Sequence, residues 1–228
     1  MIRLVGLNFN KFSMQNIGGI RLYYILSIAI ICISIIIFML SFERKKPSAK
    51  EVVVLSSMTA FAILGRVMFF MTPQIKPSAA IIIIIGIGLG RHAGFLSGVL
   101  MAFISDLFFG QGPWTPWQML AFGILGYLAG VLFYRWNGKV KKIPTIIYGF
   151  LSTFIIYGLI MDTQTLLSTM AEFKKEALLT VYASGVFFNL VHGISTVIFM
   201  WFLEIPILKK LNRIKTKYGI YKTNNVNY

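Results

Sequence analysis

Between Glu51 and Glu204 the chain is a succession of apolar runs broken by short polar connections, and one run holds five consecutive isoleucines, Ile81–Ile85. As helices, such runs are long enough to cross a bilayer, because ~20 apolar residues rising ~1.5 Å each cover the ~30 Å hydrocarbon core. An open sheet cannot span lipid, since its edge N–H and C=O groups would stay unpaired. A barrel would show short alternating strands, and five isoleucines in a row do not alternate. Composition agrees, with 57% hydrophobic and only 13% charged residues. The expected fold is an all-α integral membrane protein with one transmembrane domain.

The runs fall at 22–42, 51–71, 77–89, 93–109, 116–134, 144–161 and 179–203. Residues 1–21 read as an N-terminal tail, and 43–50 as a basic linker. Residues 51–204 read as a six-helix membrane domain, and 205–228 as a basic tail. The run 22–42 is too long for the apolar core of a cleaved signal peptide, so it is expected to be a retained extra transmembrane helix. The connection 162–178, with Asp162, Glu172, Lys174, Lys175 and Glu176, reads as an amphipathic loop.

Net charge is +15. In a soluble protein this would point to nucleic acid. In a membrane chain it points to topology, because Lys and Arg gather beside cytoplasmic helix ends. Of the 22 Lys and Arg, fifteen fall on one side of the alternating spans and six on the other, with Arg66 inside a span. The richer side includes the C-terminus, which is therefore expected in the cytoplasm. The sole cysteine, Cys32, gives no disulfide framework, and no Cys/His spacing suggests a metal.

The connection GQGPWTPWQM, residues 110–119, carries no charge and more shape than a connector needs. Pro113 and Pro116 remove backbone donors and fix φ. Trp114 and Trp117 offer flat faces with one N–H each. Gln111 and Gln118 offer donors and acceptors without charge. Tryptophan is ordinary at a membrane interface, but prolines and glycines interleaved with it suggest a rigid aromatic lip. Charge counting places this lip outside, beside a second proline-rich loop at 72–79 that holds Lys76 and Pro77.

Polar residues within the spans are few. Arg66 and Asp106 lie at similar depths, about 4–8 Å below the outer helix ends. An intramembrane charge costs at least ~2.5–3.5 kcal/mol, so a partner is expected, and these two are matched. The pair reads as a helix lock, as a polar cavity wall, or as both. Asn189 and His192 share a helix face, and Tyr182 and Ser184 lie higher on the same span. They serve as interhelical contacts or as ligand contacts. Glu204, near the cytoplasmic end, is expected to be solvated. Ser56 and Ala60 form a small-xxx-small pair, and Gly123, Gly126 and Gly130 form a tight packing face. The chain has no His-Glu-x-x-His pattern, nucleophile elbow or phosphate loop. An intramembrane enzyme using Asp106 or His192 is one alternative. A lipid- or partner-binding assembly protein is the other.

The ordered series GRVMF (65–69), P-x-x-K-P (73–77), GIGLG (86–90), GFLSGVLMAFISDLFFGQGPWTPWQM (94–119) and GxLGYLAG (123–130) resembles the S component of an energy-coupling factor (ECF) transporter. Within that superfamily it is most similar to the subgroup assigned to cobalamin. The resemblance implies a six-helix S-component-like bundle in a bacterial plasma membrane, here with one additional N-terminal helix. It implies capture of a vitamin from outside, with cobalamin first and riboflavin, pantothenate or a queuosine precursor as alternatives. It also implies docking on a transmembrane coupling subunit with two ATPases. ATP is then used by the partners, and this chain needs no cofactor, no metal and no catalytic residue. On this reading 72–79 is the gating loop. The pocket draws on Arg66, Lys76, Pro77, Asp106, Gln111, Trp114, Trp117, Gln118, Tyr182, Asn189 and His192. Ser56 and Ala60 stand where the family carries its Ala-xxx-Ala contact with the coupling subunit, and Ser56 departs from that pattern.

Overall fold

A computed structural model describes residues 25–37, 40, 47–136, 141–169 and 175–220. The expected tail 1–21, the first half of the linker 43–50 and the last residues of the basic tail, 221–228, lie outside the described residues. Among the described residues eight α-helices follow in order: α1 (Ile25–Ile37), α2 (Ala49–Met68), α3 (Ser78–Leu89), α4 (Arg91–Phe109), α5 (Thr115–Phe133), α6 (Lys142–Leu151), α7 (Gly158–Thr169) and α8 (Lys175–Tyr218). A short 3₁₀ turn, Tyr134–Trp136, follows α5, and a π-helical segment, Ser152–Tyr157, joins α6 to α7 as one rod. No strand occurs among the described residues. Among the described residues five helices, with α6 through α7 counted as one, are long and apolar enough to cross a membrane. The all-α membrane bundle read from the sequence is therefore the observed architecture.

α3 is the centre of the fold. It has 12 residues, every one buried. At ~1.5 Å per residue it rises ~18 Å, too short to span lipid alone. It survives because protein and not lipid surrounds it. Three helices meet where side chains vanish. A Cβ at Gly86 of α3 would lie 2.2 Å from the Gly126 carbonyl of α5, and one at Gly94 of α4 would lie 2.3 Å from the same oxygen. The glycine face expected on the fifth span is thus the seam of the core.

α2 begins with a capping box. Ser48 Oγ accepts from the Glu51 N–H at 3.3 Å, and Glu51 Oε2 accepts from the Ser48 N–H at 2.9 Å. Only Thr59, Ala62, Gly65 and Arg66 of α2 are buried. Ser56 and Ala60 both lie on its exposed face.

Two boundaries differ from the sequence reading. The helix that starts at Lys142 runs on to Thr169, so Asp162 sits inside a helix and not in a connection. Its polar neighbours Thr163 and Thr165 continue the helix by returning their hydroxyls to the carbonyls four residues back, at 2.6 and 3.0 Å. α8 likewise runs through Pro206 to Tyr218, 44 residues in all. Leu211 is buried, and Lys215 Nζ donates to the Gly88 carbonyl at 3.1 Å. The first half of the expected free tail is therefore part of the bundle. Glu204 is also not solvated. It is 2% exposed and accepts from the Thr145 hydroxyl at 2.7 Å.

Candidate functional site

At the end of the bundle away from most Lys and Arg, the helix ends of α2, α4 and α5 enclose Arg66 and Asp106. They are 6% and 1% exposed, and Arg66 Nη2 lies 3.2 Å from Asp106 Oδ1. Arg66 Nη1 also donates to Ser105 Oγ at 2.6 Å and Nη2 to Gln118 Oε1 at 2.5 Å. The guanidinium lies over the Phe109 and Phe122 rings, 5.4 and 5.6 Å from their centroids. A charge at this depth needs such partners, and Arg66 has them on every side.

A cavity of ≈ 320 Å³ opens beside this network, between α5, α7 and α8. It is lined by Gln118, Tyr157, Asp162, Asn189 and, from the loop between α2 and α3, Gln74, with apolar walls that include Met161 and Phe188. Gln118 is the one residue shared by the two features. Arg66 and Asp106 do not line the cavity. They sit behind Gln118, and Arg66 holds its side-chain carbonyl. The sequence expectation that the pair forms the pocket wall is corrected accordingly. The pair exists, and it locks helices and orients an amide.

The loop before α3 covers this end. The Lys76 N–H donates to Ser195 Oγ of α8 at 3.1 Å, and Lys76 Nζ lies 5.1 Å from the centroid of the Phe109 ring. Burial holds the Lys76 ammonium below its ordinary range. The neighbouring Arg66 charge pushes the same way, and Asp106 opposes it. Pro77 sets the first turn of α3 and packs over Gly65, where a Cβ would meet its Cγ at 2.8 Å. Gln74 has φ 60, the only positive φ outside glycine among the described residues. A glutamine in that region is uncommon, and here it carries a side chain into the cavity.

Of the lip residues, only Gln118 reaches the cavity. Trp117 is 6% exposed and turns to α1, where its indole N–H donates to Ser27 Oγ at 3.3 Å. Trp114 is 41% exposed, with its ring folded over Gly112, where a Cβ would lie 2.4 Å from it. Gln111 Nε2 donates to the Phe103 carbonyl at 3.4 Å. The lip therefore folds on itself and on α1. Trp117 and Gln118 are neighbours on α5, and consecutive helical residues point about 100° apart, so one meets α1 while the other faces the cavity.

On α8, Asn189 lines the cavity, and its Nδ2 donates to Asp162 Oδ2 at 2.8 Å. Tyr182 instead bonds the Thr163 hydroxyl at 2.8 Å, tying α8 to α7. His192 is buried behind the wall, edge-on to Tyr157 at 4.6 Å between ring centroids, with Nδ1 unpartnered. Asp162, Tyr157 and Gln74 are site residues that the sequence reading missed. A signal existed for Asp162, a lone acid one turn after Gly158. Tyr157 owes its position to the π segment. There Thr153 and Ser152 both return hydroxyls to the Gly149 carbonyl, at 2.6 and 3.3 Å, and add a residue to the turn.

A larger cavity, ≈ 410 Å³, lies at the Arg91 end of α4 between α1 and α5. Its walls are mostly apolar, such as Ile37, Phe95 and Ile124, with Arg91, His92 and Tyr127 also lining it. No group of three or more His, Cys, Asp or Glu could hold a metal among the described residues.

Residues 46–213 match the family described as ECF-type riboflavin transporter, S component. Over 89 residues the chain is 34% identical to a UPF0397 protein of Vibrio atlanticus (strain LGP32), covering 37% of this chain and 48% of that protein. UPF0397 proteins of Aliivibrio fischeri (strain MJ11) and Aliivibrio salmonicida (strain LFI1238) are 36% identical over the same length and with the same coverage. The chain thus spans about half the length of the curated relatives it matches. No solved structure matches it. The family is that of a transporter subunit and not of an enzyme, and its match covers α2 through most of α8. The chain belongs to the ECF-type riboflavin transporter S component family.

Proposed function

We propose that this chain captures a small nitrogen-heterocycle vitamin in the cavity between α5, α7 and α8. It then hands the vitamin inward through a transmembrane coupling subunit carrying two ATPases. The observation that carries the reading is the cavity itself, with Gln118, Asp162 and Asn189 at membrane depth and Gln74 on the loop above. Few polar groups placed among apolar walls are what fixes the orientation of a small ligand. The substrate-binding residues are Gln74, Gln118, Tyr157, Asp162 and Asn189. Arg66, Asp106 and His192 support them from behind, and Lys76 and Pro77 close the loop.

A volume of ≈ 320 Å³ suits a vitamin of two or three fused rings, and a corrinoid is several times larger. This supports a smaller substrate in place of cobalamin. Riboflavin, which the family description names, is the first to test. ATP serves the partner subunits, and this chain works without a cofactor. Ser56 and Ala60, on the exposed face of α2, are the contact for the coupling subunit. The charge asymmetry supports a multi-pass bacterial plasma-membrane protein with its C-terminus in the cytoplasm.

The test is to purify the full chain, identify any co-purified small molecule by mass spectrometry, and titrate a panel of water-soluble vitamins that includes cobalamin. One member is expected to bind tightly without ATP. Absence of binding across the panel at micromolar concentration would overturn the proposal, and tight binding of cobalamin would overturn the size argument.

A further inference from the structure

We infer that the slot between α7 and α8 is a built carboxylate subsite that takes a positively charged nitrogen group of the substrate. This rests on the reading of the cavity as the substrate site. It narrows the substrate from any small heterocycle to a cationic one.

The slot is reciprocal. Gly158 and Asp162 stand one turn apart on α7, and Gly185 and Asn189 stand one turn apart on α8. A Cβ at Gly185 would lie 2.4 Å from Asp162 Oδ1, and a Cβ at Gly158 would lie 2.6 Å from Asn189 Nδ2. Each polar side chain therefore fills the notch that a glycine leaves on the facing helix. Neither is a surface group that happens to point inward. The Asn189 amide N–H then fixes the carboxylate by donating to Oδ2 at 2.8 Å.

What the slot leaves open is an acceptor end. Asn189 is the one hydrogen-bond partner of the Asp162 carboxylate among the described residues. No Lys or Arg among them lies within ion-pair distance of it. The contrast with Arg66 is complete, because that charge is already neutralised by Asp106. An unpaired charge at membrane depth is unfavourable, and elsewhere such residues mark substrate or ion paths. Both Asp162 and Asn189 line the cavity. A protonated amine, amidine or similar cation bound there supplies the missing charge through charge-assisted hydrogen bonds. An anionic ligand is repelled by the same carboxylate. A neutral ligand such as riboflavin offers it only O–H or N–H donors.

The experiment uses the full chain in lipid nanodiscs and measures binding by calorimetry. The probes are thiamine and 7-aminomethyl-7-deazaguanine as cations, riboflavin as a neutral ligand and pantothenate as an anion. One of the cations is expected to bind best and pantothenate not at all. Asp162→Asn should weaken the bound cation by about 10- to 100-fold, the span of one charged hydrogen bond. Gly185→Ala should do the same by displacing the carboxylate. Thermal unfolding of ligand-free Asp162→Asn should match the wild type, which separates lost recognition from lost folding. If riboflavin or pantothenate binds best, and Asp162→Asn changes its affinity by less than about twofold, the inference fails while substrate capture stands. If none of the four probes binds, the inference fails, and substrate capture is decided by the wider vitamin panel.

Discussion

Two acids lie inside the membrane domain near the same end, and they are treated oppositely. Asp106 is sealed behind the cavity wall, its Oδ1 paired with Arg66 and its Oδ2 buried without a hydrogen-bond partner. Asp162 faces the cavity with one amide, that of Asn189, as its hydrogen-bond partner among the described residues. A charge already neutralised by an opposite charge and sealed from the cavity can hold an architecture, but it offers little to a solute. A charge left half-satisfied is poorer glue and better recognition. The site therefore follows the acid that faces the cavity without a cationic partner, although the ion pair is more conspicuous.

The largest effect expected from breaking this contrast is on stability. Arg66→Met leaves Asp106 buried and unpaired, and should cost about 3–5 kcal/mol in thermal or denaturant unfolding. Arg66→Met with Asp106→Leu should recover part of that loss. Asp162→Asn, by contrast, should change stability by no more than about 0.5 kcal/mol. Equal destabilisation by the two single changes would erase the distinction.

Next in size is the glycine seam. Gly94→Ala puts a Cβ against the Gly126 carbonyl, where backbone must shift, and should cost about 1–3 kcal/mol in the same measurement. A smaller effect concerns the loop. Lys76 has a lowered pKa in the folded chain, so the folded chain binds that proton less tightly than the unfolded chain does. Stability should rise with pH through the window between the lowered value and 10.5, and Lys76→Met should abolish that rise. A flat wild-type profile there would contradict the burial of Lys76. The smallest effect is at the lip. Trp117→Phe removes the bond to Ser27 and part of a buried ring, and should cost about 0.5–1.5 kcal/mol.

Much of the fold was legible before any coordinates. Apolar run lengths gave the bundle, and the glycine spacing of the fifth span gave its seam. The Arg66–Asp106 pair could be read because two opposite charges at matching depth leave little choice of partner. Asp162 could not be read the same way. It opens the polar run Asp162–Thr165, which resembles a connection, and only the hydroxyl-to-carbonyl bonds of Thr163 and Thr165 reveal a continuing helix. Trp117 misled for a different reason. A tryptophan beside two prolines advertises a surface, but which neighbour it meets depends on where α1 packs, and no local pattern encodes that. Gln74 depended on a backbone angle that a glutamine rarely adopts.

The most direct test sets the slot against the lip in one titration. Once a ligand is identified, its affinity is measured for Asp162→Asn, Asn189→Leu, Trp114→Ala and Trp117→Ala, each checked for folding by thermal unfolding. The account predicts at least a tenfold loss for the two slot variants, roughly one charged hydrogen bond, and little change for the two tryptophan variants. Loss at the tryptophans with the slot variants unaffected would contradict it and return the site to the lip.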